Sequence, residues 1–234
     1  MKSSIFSILL LCSVSSIFAQ RTFTETWPAN GINNIKITTE FASMEVETWD
    51  KNEIQIEGYI SIYNDEANDA FEWTVDQKGS TFYFESETNF PKWNKNAKWD
   101  NCNQTSDIRL KIKVPKNRKL ITRATYGGVT VAGLEHTADI KSTYGGVDVQ
   151  LSRLPKEELR IESTYGHVDI AVAASARASL TLKTPFGETL TDLPLEIKGS
   201  KQHTVGSTLQ AELNGGGIPI YAEAGYNKIY LRKL

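Results

Sequence analysis

The feature that most constrains this chain is a repeat. Ala124-Thr125-Tyr126-Gly127-Gly128-Val129-Thr130-Val131 returns as Ser142-Thr143-Tyr144-Gly145-Gly146-Val147-Asp148-Val149. It returns again as Ser163-Thr164-Tyr165-Gly166-His167-Val168-Asp169-Ile170, and in decayed form as Lys183-Thr184-Pro185-Phe186-Gly187-Glu188-Thr189-Leu190. The aromatics at 126, 144, 165 and 186 are spaced by 18, 21 and 21 residues. An earlier segment, Thr39-Glu40-Phe41-Ala42-Ser43-Met44-Glu45-Val46, has the same cadence without the glycine.

A period near 20 with apolar alternation predicts two short strands per copy, such as Val129–Val131 and Asp139–Ser142. One such unit cannot bury its apolar face, so copies must stack, each covering the next. Val129 and Val131, Val147 and Val149, and Val168 and Ile170 are then expected in inward ladders. Thr130, Asp148 and Asp169 are expected to face outward. Gly127, Gly145, Gly166 and Gly187 fall at the turn between strands, where a positive φ is expected to require glycine.

Ahead of the repeats, Asn34–Thr39, Ser43–Thr48 and Glu53–Ile60 read as strands. Phe71–Val75 and Thr81–Glu87 flank the hairpin signal Gln77-Lys78-Gly79-Ser80. Asn64–Ala70 suits one helical turn, and Arg109–Val114 alternates basic with apolar residues. After the repeats, Leu193–Lys198, Thr208–Leu213, Ile218–Glu223 and Lys228–Arg232 continue as strands. No long segment has helical periodicity. With 40% hydrophobic and 23% charged residues, the chain has the composition of a folded rather than disordered protein. A formal net charge of −2 argues against a nucleic-acid binder.

The N-terminus reads differently. Lys2 precedes an apolar run from Ile5 to Phe18, and Ala19 offers a small residue for cleavage before Gln20, the pattern of a secretory signal peptide. No segment has the roughly 20 mostly apolar residues of a membrane span. Cys12 is preceded by Leu11, which does not suit a lipoprotein signal. Residues 20–234 then keep Cys102 as their single cysteine, which excludes an internal disulfide and a cysteine metal site.

Leu110-Lys111-Ile112-Lys113-Val114-Pro115-Lys116-Asn117-Arg118-Lys119-Leu120, followed by Thr125-Tyr126-Gly127-Gly128-Val129, resembles the bacterial putative-adhesin family. The resemblance spans roughly Ile35 to Arg232. It implies an exported β-solenoid domain, similar to the head domains of autotransporter adhesins, with no assigned chemistry. The Tyr-Gly-Gly pairs are more regular here than in that family, and the Trp-rich stretch at 90–105 looks like an insertion.

Candidate chemistry is sparse. His167 and Asp169 share a strand face, and Asp148 occupies the matching place one repeat earlier, about 5 Å away if copies stack directly. These three could hold a divalent cation, but a solvated polar face is the stronger reading, and no metal or other cofactor is expected. No Gly-x-Ser-x-Gly elbow occurs, and Gly215-Gly216-Gly217 lacks the Lys-Ser/Thr of a phosphate loop. Tyr126, Tyr144, Tyr165 and Phe186 suit a stacked ladder that is structural before it is a ligand platform.

The candidate binding residues are Lys92, Trp93, Lys95, Lys98 and Trp99 in the polar loop Asn89–Gln104. Tryptophans there suggest either folding back onto the body or contact with a partner. Glu40 to Glu87 carries 13 acids against Lys51 and Lys78, while Lys92 to Arg123 carries 10 bases against Asp100 and Asp107. Pairing of Arg109, Lys111 and Lys113 with Glu85 and Glu87 across strands accounts for that asymmetry better than a basic patch for anionic polymers does.

The sequence therefore predicts an all-β chain: a signal peptide at 1–19, then one β-solenoid, β-helix-like domain of short rungs at 20–234. Its N-terminal β region is 20–123, and its Tyr-Gly-Gly rungs and C-terminal strands are 124–234. The expected role is non-enzymatic, adhesion-like or scaffold-like binding in the periplasm or at the cell surface, toward an envelope glycan or surface protein. An envelope-stress accessory is the alternative, and a carbohydrate-active enzyme the weaker one. Mass spectrometry of the exported chain is expected to find Gln20 at its N-terminus, and a lipid-modified Cys12 would overturn that reading.

Overall fold

A computed structural model describes residues 21–89, 105–202 and 205–234. The proposed signal peptide lies outside these residues. Alternating burial writes the chain as strands. The first nine are β1 (Arg21–Pro28), β2 (Asn34–Thr39), β3 (Ser43–Trp49), β4 (Glu53–Ile62), β5 (Phe71–Lys78), β6 (Thr81–Thr88), β7 (Ser106–Pro115), β8 (Lys119–Ala124) and β9 (Val129–Ala132). The repeats supply β10 (Ala138–Ser142), β11 (Val147–Leu151), β12 (Leu159–Ser163) and β13 (Val168–Val172). They are followed by β14 (Ala178–Thr184), β15 (Thr189–Thr191), β16 (Leu195–Gln202), β17 (Ser207–Leu213), β18 (Ile218–Ala224) and β19 (Ile229–Lys233). A 3-10 turn at Asn68–Ala70 sits in the segment expected to make one helical turn.

The strands form two large mixed sheets, in the orders β1-β4-β7-β3-β9-β11-β13-β19-β15 and β16-β17-β14-β18-β12-β10-β8-β2-β6-β5. Through the middle the chain alternates between sheets, so β8 and β9, β10 and β11, and β12 and β13 each make one rung. Like strands pair in parallel and in register: Met44, Val129, Val147, Val168 and Ile229 stand in one row, and Val46, Val131, Val149, Ile170 and Leu231 in the next. In the facing sheet, Ile35, Leu120, Ala138, Leu159, Ile220 and Leu180 form a matching row. All of these residues are buried, and together they close a continuous core between the sheets. The valine ladders stand as the spacing predicts.

The order of rungs does not follow the chain. The fourth repeat copy, β14 and β15, was expected against the third. The C-terminal pair β18 and β19 lies between them instead. At the other end the pair β6 and β7 lies outside β2 and β3. Three of the four sheet ends then finish in antiparallel strands, β4 and β1 beyond β7, β5 beyond β6, and β17 and β16 beyond β14, while the first sheet ends at its other side in the short parallel β15. A parallel strand leaves an unpaired edge, and hairpin partners cover it.

The repeat glycines are needed for a reason other than φ. Positive φ among glycines occurs at Gly31, Gly79, Gly133, Gly215 and Gly216, and at no repeat glycine. At Gly145 a Cβ would collide with the backbone carbonyl of Gly127, at Gly127 with that of Ala42, and at Gly166 with that of Gly145. Each glycine lets one rung lie directly on the last.

Two substitutions test this packing in urea unfolding. Val147→Ala removes two fully buried methyl groups, and a loss of about 2 kcal/mol is expected from transfer and cavity terms. Gly145→Ala must push backbone from backbone, so a loss of about 2 kcal/mol or more is expected, larger than for the half-exposed Asp148→Ala. Equal midpoints for the Gly145 and Asp148 variants would contradict the close approach.

Candidate functional site

The rung corner is built by a local hydrogen-bond pattern that explains the repeat. In Ser142-Thr143-Tyr144-Gly145, the Ser142 hydroxyl accepts from the Gly145 amide at 3.0 Å and donates to the Gly127 carbonyl of the rung before it at 2.9 Å. Ser163 donates to the Gly145 carbonyl in the same way, also at 2.9 Å. Amide bonds continue the ladder through the turn: Tyr126 donates to Glu40, Tyr144 to Thr125, Tyr165 to Thr143 and Tyr226 to Thr164, over 2.7–2.9 Å.

Because the corner stays in register, its aromatic side chains must superpose. Phe41, Tyr126, Tyr144, Tyr165, Tyr226 and Phe186 stack in that order, with centroids 4.8–5.1 Å apart and planes within 11°. Five of the six remain 47–55% exposed. Stacking covers the ring faces, so what meets solvent is a ridge of ring edges and, on four rings, phenol hydroxyls.

Sequence reasoning placed Tyr126, Tyr144, Tyr165 and Phe186 in a ladder and gave Phe41 the same cadence. It missed Tyr226, which separates Tyr165 from Phe186. The signal was an aromatic three residues before an apolar one, Tyr226 to Ile229, hidden because Asn227 stands in the glycine place. The Asn227 amide donates to the Tyr165 carbonyl at 3.4 Å.

The polar ladder on the first sheet is engaged by neighbouring side chains. Asp148 and Asp169 are register neighbours. His167 Nε2 lies 3.1 Å from Asp148, and Arg232 Nε donates to both Asp169 oxygens at 2.7 and 2.9 Å. Among the described residues no group of three or more His, Cys, Asp or Glu is placed to hold a metal.

The expected pairing of Arg109, Lys111 and Lys113 with Glu85 and Glu87 does not form. β7 and β6 belong to different sheets, and Lys111 stands between Glu45 and Glu57, with Lys113 beside Glu47. The alternation of β7 was right, but its neighbours are set by the rung order. Arg109 instead lies over the Tyr59 ring at 4.5 Å and pairs with Asp107 at 2.9 Å.

The second sheet carries its own network. Glu223 receives hydrogen bonds from Tyr221 at 2.5 Å and Lys183 at 2.9 Å, Arg160 covers the Tyr221 ring at 4.2 Å, and Glu162 binds Arg160 and Lys141. Burial would raise the Glu223 carboxyl, but the bonds from Tyr221 and Lys183 outweigh it and hold Glu223 below its usual range. Burial, reinforced by the bond to Glu223, pushes Tyr221 up to about 12.

Lys92, Trp93, Lys95, Lys98 and Trp99 lie outside the described residues. No helix among the described residues is long and apolar enough to cross a membrane.

No family model and no curated protein matches the chain. Among solved structures it is similar to one described as "a putative cell adhesion protein" from Clostridium sporogenes, at 13% identity and TM-score 0.66, covering 92% of this chain and 100% of that one. It is also similar to "a putative adhesin" from Bacteroides fragilis, at 15% identity and TM-score 0.43, covering 91% and 98%. The first likeness establishes a shared all-β fold; the second is too low to carry an argument.

The Tyr221 proton gives a pH test. The folded chain holds it to higher pH than the unfolded chain, whose tyrosines ionise near pH 10. Its stabilisation is therefore complete below about pH 10 and is lost as pH rises towards 12. Tyr221→Phe is expected to unfold at lower urea than the parent at pH 8, with the gap narrowing above pH 10. A constant gap would contradict the shared proton.

Proposed function

We propose that this chain is an exported, non-enzymatic binding protein of the cell envelope, a β-solenoid that acts as an adhesion-like or scaffold-like domain. The observation that carries the reading is the aromatic ridge. Large apolar side chains exposed singly are ordinary, but five exposed in one stacked row form a contact surface. Tyrosines give it amphipathic area already ordered before a partner arrives, so little conformational entropy opposes binding. The shared fold with the solved structure described as "a putative cell adhesion protein" supports the same reading. So does the outward polar chemistry, where Asp148, Asp169, Glu162 and Glu223 are engaged with His167, Arg232, Lys141 and Lys183 rather than left for catalysis.

Trp93 and Trp99, with Lys92, Lys95 and Lys98, are proposed to contribute to binding as well, the tryptophans by amphipathic area and the lysines by charge. The partner proposed is an envelope glycan or a surface protein, contacting ring edges and hydroxyls along the ridge.

The test separates contact from architecture. Changing Tyr126, Tyr144, Tyr165 and Tyr226 together to Phe keeps the stack and removes its hydroxyls. On an array of envelope glycans and surface proteins the full chain is expected to bind. The four-fold variant is expected to lose about tenfold in affinity with an unchanged urea midpoint, and Trp93→Ala with Trp99→Ala to weaken binding further. If no array member is retained, or the variant binds as the parent does, the ridge is not the site.

A further inference from the structure

The aromatic ridge is symmetric in its own order. From end to end it reads Phe41, Tyr126, Tyr144, Tyr165, Tyr226, Phe186, with a phenylalanine at each end and tyrosines between. The steps are even as well, 4.8–5.1 Å throughout. Reversed end for end, the row presents the same rings at the same places. A two-fold pairing of two such rows sets Tyr144 opposite Tyr165 of a second copy, Tyr126 opposite its Tyr226 and Phe41 opposite its Phe186.

The chemistry is self-matching in the same sense. A phenol hydroxyl both donates and accepts, so tyrosine meets tyrosine without a mismatch. Charge adds an independent observation. Every residue directly before or after a ring of the row is uncharged except Glu40. The outer faces of the sheets, by contrast, carry Asp148, Asp169, Glu162 and Glu223 with their bases. Two copies of a chain of net charge −2 therefore meet little repulsion along this line. Antiparallel rows also hold the two Glu40 carboxylates at opposite ends, whereas parallel rows would bring them together.

We infer that the partner of the ridge is the ridge of a second copy of this chain, the two rows running antiparallel about a two-fold axis between Tyr144 and Tyr165. This rests on the reading of the ridge as a contact surface and names the surface protein that it contacts. Area sets the strength. An aromatic side chain buries about 150–250 Å², so half of that from each of the five exposed rings gives about 400–600 Å² per copy. The total for two copies, about 800–1,200 Å², is that of a weak, reversible pair rather than an obligate dimer. Such a contact becomes strong where many copies face many others.

Sedimentation equilibrium of the full chain at low salt, from about 10 μM to about 1 mM, reads the pairing. A monomer–dimer equilibrium with no larger species is expected, because a two-fold contact closes on itself. Thr143, half-buried beside Tyr144, lies next to the axis, so a charge placed there faces its own copy. Thr143→Lys and Thr143→Glu are each expected to weaken dimerisation about fivefold, and an equimolar mixture of the two to recover the parent's association. Ser152→Lys, exposed in the turn at the other end of β11, is expected to change nothing. A chain that stays monomeric throughout that range, a Thr143 variant that pairs as the parent does, a mixture that pairs no better than its components, or an equal loss in Ser152→Lys would overturn the inference. The array separates this failure from that of the reading beneath it. A monomeric chain that still binds an envelope glycan or another surface protein through its tyrosines rules out the second copy and keeps the ridge as a contact surface.

Discussion

The rest of the structure depends on how closely one rung lies on the next at the aromatic corner. Parallel strand pairing does not stop at the end of the strands but runs on through the turn, from Thr143 to Ala124 and from Tyr144 to Thr125. Two consequences are forced. Equivalent residues must superpose at the spacing of paired strands, about 4.8 Å, and that is why the rings stack at 4.8–5.1 Å with near-parallel planes. The backbone must also be bare where the rungs touch, which only glycine allows at 127, 145 and 166. Before Gly145 and Gly166 the serine three residues earlier, Ser142 or Ser163, satisfies a carbonyl of the rung before it that the turn would otherwise bury unpaired. Serine, tyrosine and glycine in the motif are thus one device.

A stack of parallel rungs raises a problem at its ends, where strand edges stay open to another chain. The chain deals with this by its order of assembly. Its first rung, β2 and β3, is covered by a later one, and its last, β18 and β19, is inserted beneath an earlier one. The terminal rungs are thereby interior, with neighbours on both sides, and fraying at the ends of the sequence does not expose the ladder. The edge strands carry interrupting features: Pro28 on β1, charges on β5, a bulge between Ile197 and Gly199 on β16, and a length of three residues on β15.

What was legible in the sequence is what each residue type does locally. The valine rows, the outward Asp148 and Asp169, the Tyr ladder and the hairpin at Gly79 follow from alternation and turn chemistry. Asn34–Thr39 carries its bounds in its own pattern. What was not legible is which rung lies on which, because apolar rows of Val, Ile and Leu fit one another in any order. The partners of Lys111 follow from that order, so Glu45 and Glu57 were not distinguishable from Glu85 and Glu87. Glycine at 145 was read correctly as a corner residue and wrongly as a positive-φ one, since sequence does not separate a conformational need from a steric one.

In-register stacking also decides where each kind of chemistry can reside. A repeated charge is placed beside its own copy, as Asp148 is beside Asp169, and each copy then needs a compensating base from a position that does not repeat, here His167 and Arg232. A repeated aromatic gains from its copy instead, because offset rings attract. The repeating part of the molecule therefore accumulates a neutral ridge, and its charges cancel within the outer faces. The ridge is thus the outcome of parallel register acting on a repeated sequence: the same pairing that aligns the buried valines must also bring the exposed rings into one row.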